Sequence, residues 1–317
     1  MYEIDDFLMS SYIHLNSTTN NYGSNSWTVL TDIERRIKEK IEKVGTPLKD
    51  WDIQINYGIK TGFNDAFIID GAKRKELIEK HPKSEEIIRP ILRGRDIKRY
   101  SYEVNDLWLI YIPWHFPLHN NESISGVSEA AENQFMIQYP AIYNHLLQYK
   151  NELSNRNKAE TGIRYEWYAL QRWGSNYWND FSKPKIMYPN MTKFLPFYYN
   201  ESGFYQNDKS FMIVGENIEY LTAFLNSSLF KFCFLENFPE LQGGTRELRK
   251  IFFDKIPVLK VNSNTNKTFN DLVLKIQSLK IIGIDIKEFE MKIDDMIFDL
   301  YGLSDEEKKT IGYIEII

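Results

Sequence analysis

The chain has 317 residues, 43% hydrophobic and 15% aromatic, and its 39 basic and 44 acidic side chains give a net charge of −5. That length holds one large or two modest domains with a sizeable core. A single cysteine, Cys233, excludes an internal disulfide and a cysteine-based zinc site. Flanked by phenylalanines, it reads as a small buried hydrophobe in a reducing cytoplasm. No apolar run approaches the roughly 20 residues that span a bilayer. The acidic start Met1-Tyr-Glu-Ile-Asp-Asp lacks the basic region of a signal peptide. The expectation is a cytoplasmic protein with no membrane partner.

Residues Met1 to Ser26 begin apolar and run into a polar, turn-rich tract from Asn16, which reads as a linker, the tail of a longer enzyme. Thr31 and Asp32 then cap a helix through Lys43, with Ile33, Ile37 and Ile41 on one stripe, and Val44-Gly45-Thr-Pro stops it. Asp52 to Tyr57 alternates as a strand. It leads into Gly58-Ile-Lys-Thr-Gly-Phe-Asn-Asp-Ala-Phe, where Gly58 and Gly62 bracket a polar tip that reads as a tight turn. Ala66 to Ile69 reads as the next strand, and Ala72 to His81 as a short helix. The basic run Arg89 to Arg99 follows, with Gly94 placed to let backbone come close to something.

Trp108 to Pro113 reads as a strand, ending where proline cannot donate to the ladder. Ser128 to Asn155 is largely helical, with Pro140 near a first turn. After the aromatic stretch Arg164 to Trp173 come a strand at Lys185-Ile-Met-Tyr and a hairpin over Phe197 to Tyr205 turning at Glu201-Ser-Gly. A buried strand Phe211 to Val214 and a helix Ile218 to Phe234 follow. Gln242-Gly-Gly-Thr-Arg makes a polar tip ahead of an Ile256-Pro strand. Two helices, Thr268 to Ile282 and Ile286 to Tyr301, close the chain.

Two of these segments carry a resemblance. Gly58, Ile59, Thr61, Gly62, Asn64, Ala66 and Phe67, then Ile88, Pro90, Leu92, Gly94, Asp96 and Ile97, fall in the order and spacing of two motifs. Those motifs resemble the TaqI-like C-terminal specificity domain of type II and type IIG restriction enzymes and N6-adenine DNA methyltransferases. The Trp167-Tyr-Ala-Leu-Gln-Arg element before Lys183-Pro-Lys-Ile is also similar to that family. The resemblance runs from about Trp27 to the end. It implies a mixed α/β (α+β) target-recognition domain over residues 47–260, with a mixed or antiparallel sheet. A linker and helix would precede it over 1–46, and a helical segment would follow over 261–317. The implied role is recognition of a short double-stranded DNA sequence, beside a methyltransferase or nuclease domain in cis or in trans.

Catalytic chemistry of its own is not apparent. A methyltransferase of that class needs an Asn/Asp-Pro-Pro-aromatic loop and a glycine-rich turn for S-adenosylmethionine, and no Pro-Pro pair occurs. A metal-dependent nuclease needs Asp and Glu-x-Lys on paired strands. The one candidate, Glu290-Met-Lys292 with Asp285, lies in a helical pattern, and a divergent Mg²⁺ endonuclease or a protein-interaction module stay as alternatives. His115 and His119 have a zinc-ligand spacing but are separated by Pro117. No cofactor is expected in this chain; S-adenosylmethionine and Mg²⁺ would belong to the parent enzyme.

Reading duplex DNA takes Lys and Arg for phosphates, and Arg, Lys, Asn and Gln for base edges. Net charge does not advertise this, yet basic residues cluster at Arg89 to Arg99 and Arg246 to Lys250. Three loops supply candidates. The first holds Lys60, Thr61 and Asn64, otherwise a plain hairpin turn. The second holds Arg93, Arg95, Lys98 and Arg99, otherwise a solvated face, with Asp96 set to orient an arginine. The third holds Arg164, Gln171 and Arg172, then Asn190, Thr192 and Lys193, then Gln242, Thr245, Arg246 and Arg249. Tyr165, Trp167 and Trp173 could stack on bases but suit the core better.

Overall fold

The structure is a computed structural model describing residues 31–193 and 195–314; the expected linker before Thr31 lies outside them. The fold is mixed α and β. Its centre is a four-stranded antiparallel sheet in the order Tyr198–Asn200, Lys185–Pro189, Ser210–Gly215, Ile53–Tyr57. Within Ser210–Gly215, residues Phe211 to Val214 form an unbroken apolar run because the strand is covered on both sides. Phe211 and Ile213 enter a large core with Phe224, Phe269 and Ile297, while Met212 between them enters a second core. Ile37 and Ile41 of the first helix join the large core. That helix, Asp32–Val44, begins on a capping box between Thr31 and Glu34, the two side chains satisfying orphan N–H groups.

The second core backs a mixed sheet in the order Tyr205–Gln206, Ile88–Leu92, Leu107–Ile110, Ile68–Asp70. Only the first pairing is parallel. Three helices cover this core: Glu129–Gln138, Pro140–Leu147 and Lys150–Asn155. Phe135, Ile142 and Leu146 point inward, and Pro140 takes a helical first position where no N–H is required. Lys185 is fully buried, its ammonium donating to the Phe181 carbonyl at 2.7 Å. Desolvation pulls its pKa down to about 7, with Asp180 opposing.

Several expectations are corrected. Ala66 and Phe67 belong to a helical turn, Asn64–Phe67, and the strand starts at Ile68. The turn lets two sequence neighbours both reach the core, where each is fully buried. Lys60 does not head a hairpin but bridges Arg172. The segments around Glu201-Ser-Gly do not pair with each other: Tyr198–Asn200 pairs with Lys185–Met187, and Tyr205–Gln206 adds to Ile91–Leu92. Asn200 accepts the Phe204 N–H at 3.1 Å and redirects the chain between sheets. The helix from Ile218 is two, Ile218–Leu225 and Ser228–Phe234. Ser227 caps the second through the Phe230 N–H, and the buried Asn226 spends its side chain on the Phe197 backbone.

The turn Gln206–Ser210 joins the two sheets and is gripped by both glycine motifs. Gly58 donates to the Ser210 carbonyl at 3.0 Å and Ile59 to that of Gln206 at 2.8 Å. Gly94 donates to the Asn207 side chain at 3.1 Å. A Cβ on Gly58 would stand 1.9 Å from the Asn207 carbonyl oxygen, and one on Gly94 2.3 Å from that of Lys209. The obstacle is backbone in both cases, so it cannot step aside cheaply. Gly58→Ala and Gly94→Ala should each lower unfolding free energy by ~1–3 kcal/mol in urea titrations. Because both displace one turn, the double variant should lose less than the sum. Additive losses would place them in separate units.

Candidate nucleic-acid interface

The turn is also where the basic loops meet. Arg93–Gly94–Arg95 packs on one side of it, and Asn190 donates its N–H to the Lys209 carbonyl at 3.0 Å on the other. Asn190 in turn accepts from Leu248 at 2.9 Å, tying in the strand Thr245–Glu247, which pairs with Met191–Thr192. Between these segments lies a groove of about 450 Å³, lined by Arg95, Lys98, Asn190, Thr192, Lys209 and Lys280 among others. On the far side of the turn, Lys60 and Arg172 exchange backbone hydrogen bonds at 3.0 and 2.9 Å. The three loops are thus organised around five residues.

Within the groove the cations differ in availability. Arg95 is exposed, and its guanidinium has no hydrogen-bond or ionic partner among the described residues. The Lys209 ammonium lies 3.8 Å from Asp208 on an exposed stem. Lys98 pairs with Glu103 at 3.1 Å, an exposed contact of little strength that a phosphate could displace. Lys280 is half-buried and donates to the Arg99 carbonyl at 2.6 Å; burial lowers its pKa, partly opposed by Glu290.

Several other candidates are engaged within the protein. Arg99 is only 7% exposed; it meets Glu290 at 2.8 Å and donates to the Asn226 carbonyl, so its charge faces inward. That correction also answers the endonuclease alternative, since Glu290 lies on the helix Lys287–Leu300, not on a strand. Arg93 grips Asp96 through two nitrogens at 2.9 Å each, raising the arginine pKa. Thr61 is buried and donates to Asn64 at 2.7 Å. Arg246 is held by the Phe238 carbonyl, Glu236 and Glu240. Arg249 pairs with Glu247 at 2.7 Å, and Arg164 with Glu160 at 2.9 Å. Tyr165 and Trp167 are in the core. His115 is paired with the buried Glu166 at 3.0 Å. Gln171 is half-buried, whereas Lys193 and Gln242 are exposed. Gly243 and Gly244, at φ of 77° and 75°, shape a tip whose α-carbons face open space.

Three residues escaped sequence reasoning. Lys209 and Lys280 are single cations in their stretches of sequence and join the basic groove only through tertiary contact. Arg156 donates to the carbonyls of Thr61, Trp167 and Ala169, fixing the loop that carries Lys60. Burial lowers its pKa to about 10, and among the described residues no carboxylate pairs with it.

Comparison with known proteins decides the family. The sequence profile of the TaqI-like C-terminal specificity domain matches residues 89–258, more than half the chain. The chain belongs to that family. The Gly58 motif lies upstream of the matched residues and docks on the same turn as the Gly94 motif inside them. A type II methyltransferase of Methanocaldococcus jannaschii, M.MjaIV, is 24% identical over 292 residues, covering 86% of this chain and 84% of that protein. The type IIL restriction-modification enzyme MmeI, solved in complex with DNA, shares the fold at a TM-score of 0.55 and 12% identity over 84% of this chain. The type IIG restriction endonuclease BpuSI matches at a TM-score of 0.46 and 13% identity over 86% of the chain. This specificity domain spans 36% and 34% of those two chains.

The structural and free arginines should separate cleanly. Arg99→Ala leaves Glu290 unpaired beside a buried carbonyl and should cost ~3–5 kcal/mol of unfolding free energy. Arg95→Ala should stay within ~0.5 kcal/mol of the parent. Equal effects in chemical denaturation would contradict the assignment.

Proposed function

We propose that this chain recognises a short sequence in double-stranded DNA for a restriction-modification enzyme. The observation that carries this reading is the convergence of three loops on the Gln206–Ser210 turn, with Arg95, Lys98, Lys209 and Lys280 facing one groove. Cations so gathered suit a phosphate backbone, which sets the register of a duplex. The half-buried amide of Asn190, which lines the groove, and the exposed amide of Gln242 suit base edges, above all adenine, whose N6 and N7 match an amide in two-pronged geometry. Lys60, Arg172 and Lys193 would extend the contact along the duplex. The parts 1–46, 47–260 and 261–317 divide the work: the middle one carries the loops, and the flanking helices brace its sheet.

Catalysis would come from a methyltransferase or nuclease domain in cis or in trans, bringing its own S-adenosylmethionine or Mg²⁺. The recognition contacts would hold the duplex while such a partner unpairs its target base. Among the described residues no helix is long and apolar enough to cross a membrane.

Fluorescence anisotropy with random-sequence duplex tests the reading. Affinity should fall steeply with salt, and Arg95→Ala and Lys209→Ala should each reduce the log–log salt slope by about 1. Arg249→Ala, paired to Glu247, should reduce it less. Salt-independent binding, or no binding at low salt, would count against DNA and favour a protein-interaction module.

A further inference from the structure

The sheet beside the groove has a feature that phosphate binding does not use. Met191 is 51% exposed and Leu241 39% exposed, on a small antiparallel sheet of Glu240–Leu241, Thr245–Glu247 and Met191–Thr192. Leu241 stands opposite Thr245, and Met191 opposite Glu247. Residues two apart on a strand share a face, so Met191, Leu241, Thr245 and Glu247 point the same way, with the Glu247 carboxylate held by Arg249 at 2.7 Å. Arg246, opposite Thr192, takes the other face and is occupied by Glu236 and Glu240. Met191 also lines the basic groove with Arg95 and Lys209. Two exposed apolar side chains therefore sit on a narrow β-ribbon whose flank is cationic and whose tip, Gly243 and Gly244, is open.

Charge complementarity selects the occupant. The hairpin of Glu240–Leu241 and Thr245–Glu247 is a two-stranded ribbon of the kind a DNA major groove admits, with Met191 on the strand at its edge, and the cations beside it would meet the phosphates. The apolar group that a major groove presents is the C5-methyl of thymine, and an aliphatic side chain is its natural contact. Gln242, next to Leu241, carries the amide that suits adenine, so a single A·T pair offers a partner to each. Resting on the DNA reading above, we propose that Met191 and Leu241 are specificity-determining residues that read thymine through its methyl group.

The test begins by selecting the preferred duplex from a random pool with the full chain, then replacing thymidine by deoxyuridine at each position. Loss of one buried methyl corresponds to about a fourfold drop in affinity. The parent should show that drop at one or more positions. Met191→Ala or Leu241→Ala should abolish it there while binding random duplex with an unchanged salt slope. Both residues are on the surface, and thermal melts matching the parent verify folding. A selected site without A·T pairs, indifference of the parent to deoxyuridine, or full sensitivity in both variants would overturn methyl reading and leave DNA recognition standing. Absence of binding to any duplex at low salt would overturn both.

Discussion

The turn Gln206–Ser210 is the constraint on which the rest depends. Five residues pass between Gly58 and Gly94 so closely that neither can carry a side chain. The strand Ser210–Gly215, which leaves that turn, separates the two cores. Position and rigidity of the loops thus come from the centre of the fold, not from the loops themselves. Recognition needs that property, because a polar group misplaced by an ångström no longer reaches its base edge. A second clamp, Arg156 on three carbonyls, does the same for the loop of Lys60 and Arg172.

Charge is arranged in two tiers. Several arginines are consumed internally: Arg93 by Asp96, Arg99 by Glu290, Arg246 by two glutamates. These pairs stiffen the segments that present the groove. Arg95 and Lys209 stay loosely held, which is what a mobile counterion atmosphere or a phosphate requires. A chain of net charge −5 can carry a basic face this way, because its carboxylates are spent elsewhere on the surface and in these pairs.

Much of the fold was legible because its signals are local. Thr31 capping the first helix, the alternation of Ile53 to Tyr57, and Pro140 at a helix start each act within a few residues. The failures share a different cause. Asn226 looks like an interior position of one helix until its long-range partners, the Phe197 backbone and Arg99, are known. Tyr198–Asn200 and Tyr205–Gln206 have the spacing of a hairpin, but each finds a better partner in another sheet. Arg99 read as a surface cation because periodicity does not reveal a carboxylate 191 residues away. Lys209 was invisible for the converse reason, since its neighbours in the groove come from distant segments.

Hydrogen exchange of the full chain, free and with duplex DNA at low salt, tests the central claim most directly. The account predicts that the loops around Gly94, Asn190, Lys209 and Gln242 to Thr245 gain protection together, because they form one surface on one turn. Protection confined to the exposed isoleucines 281, 282 and 284, or absent from all four loops, would contradict it.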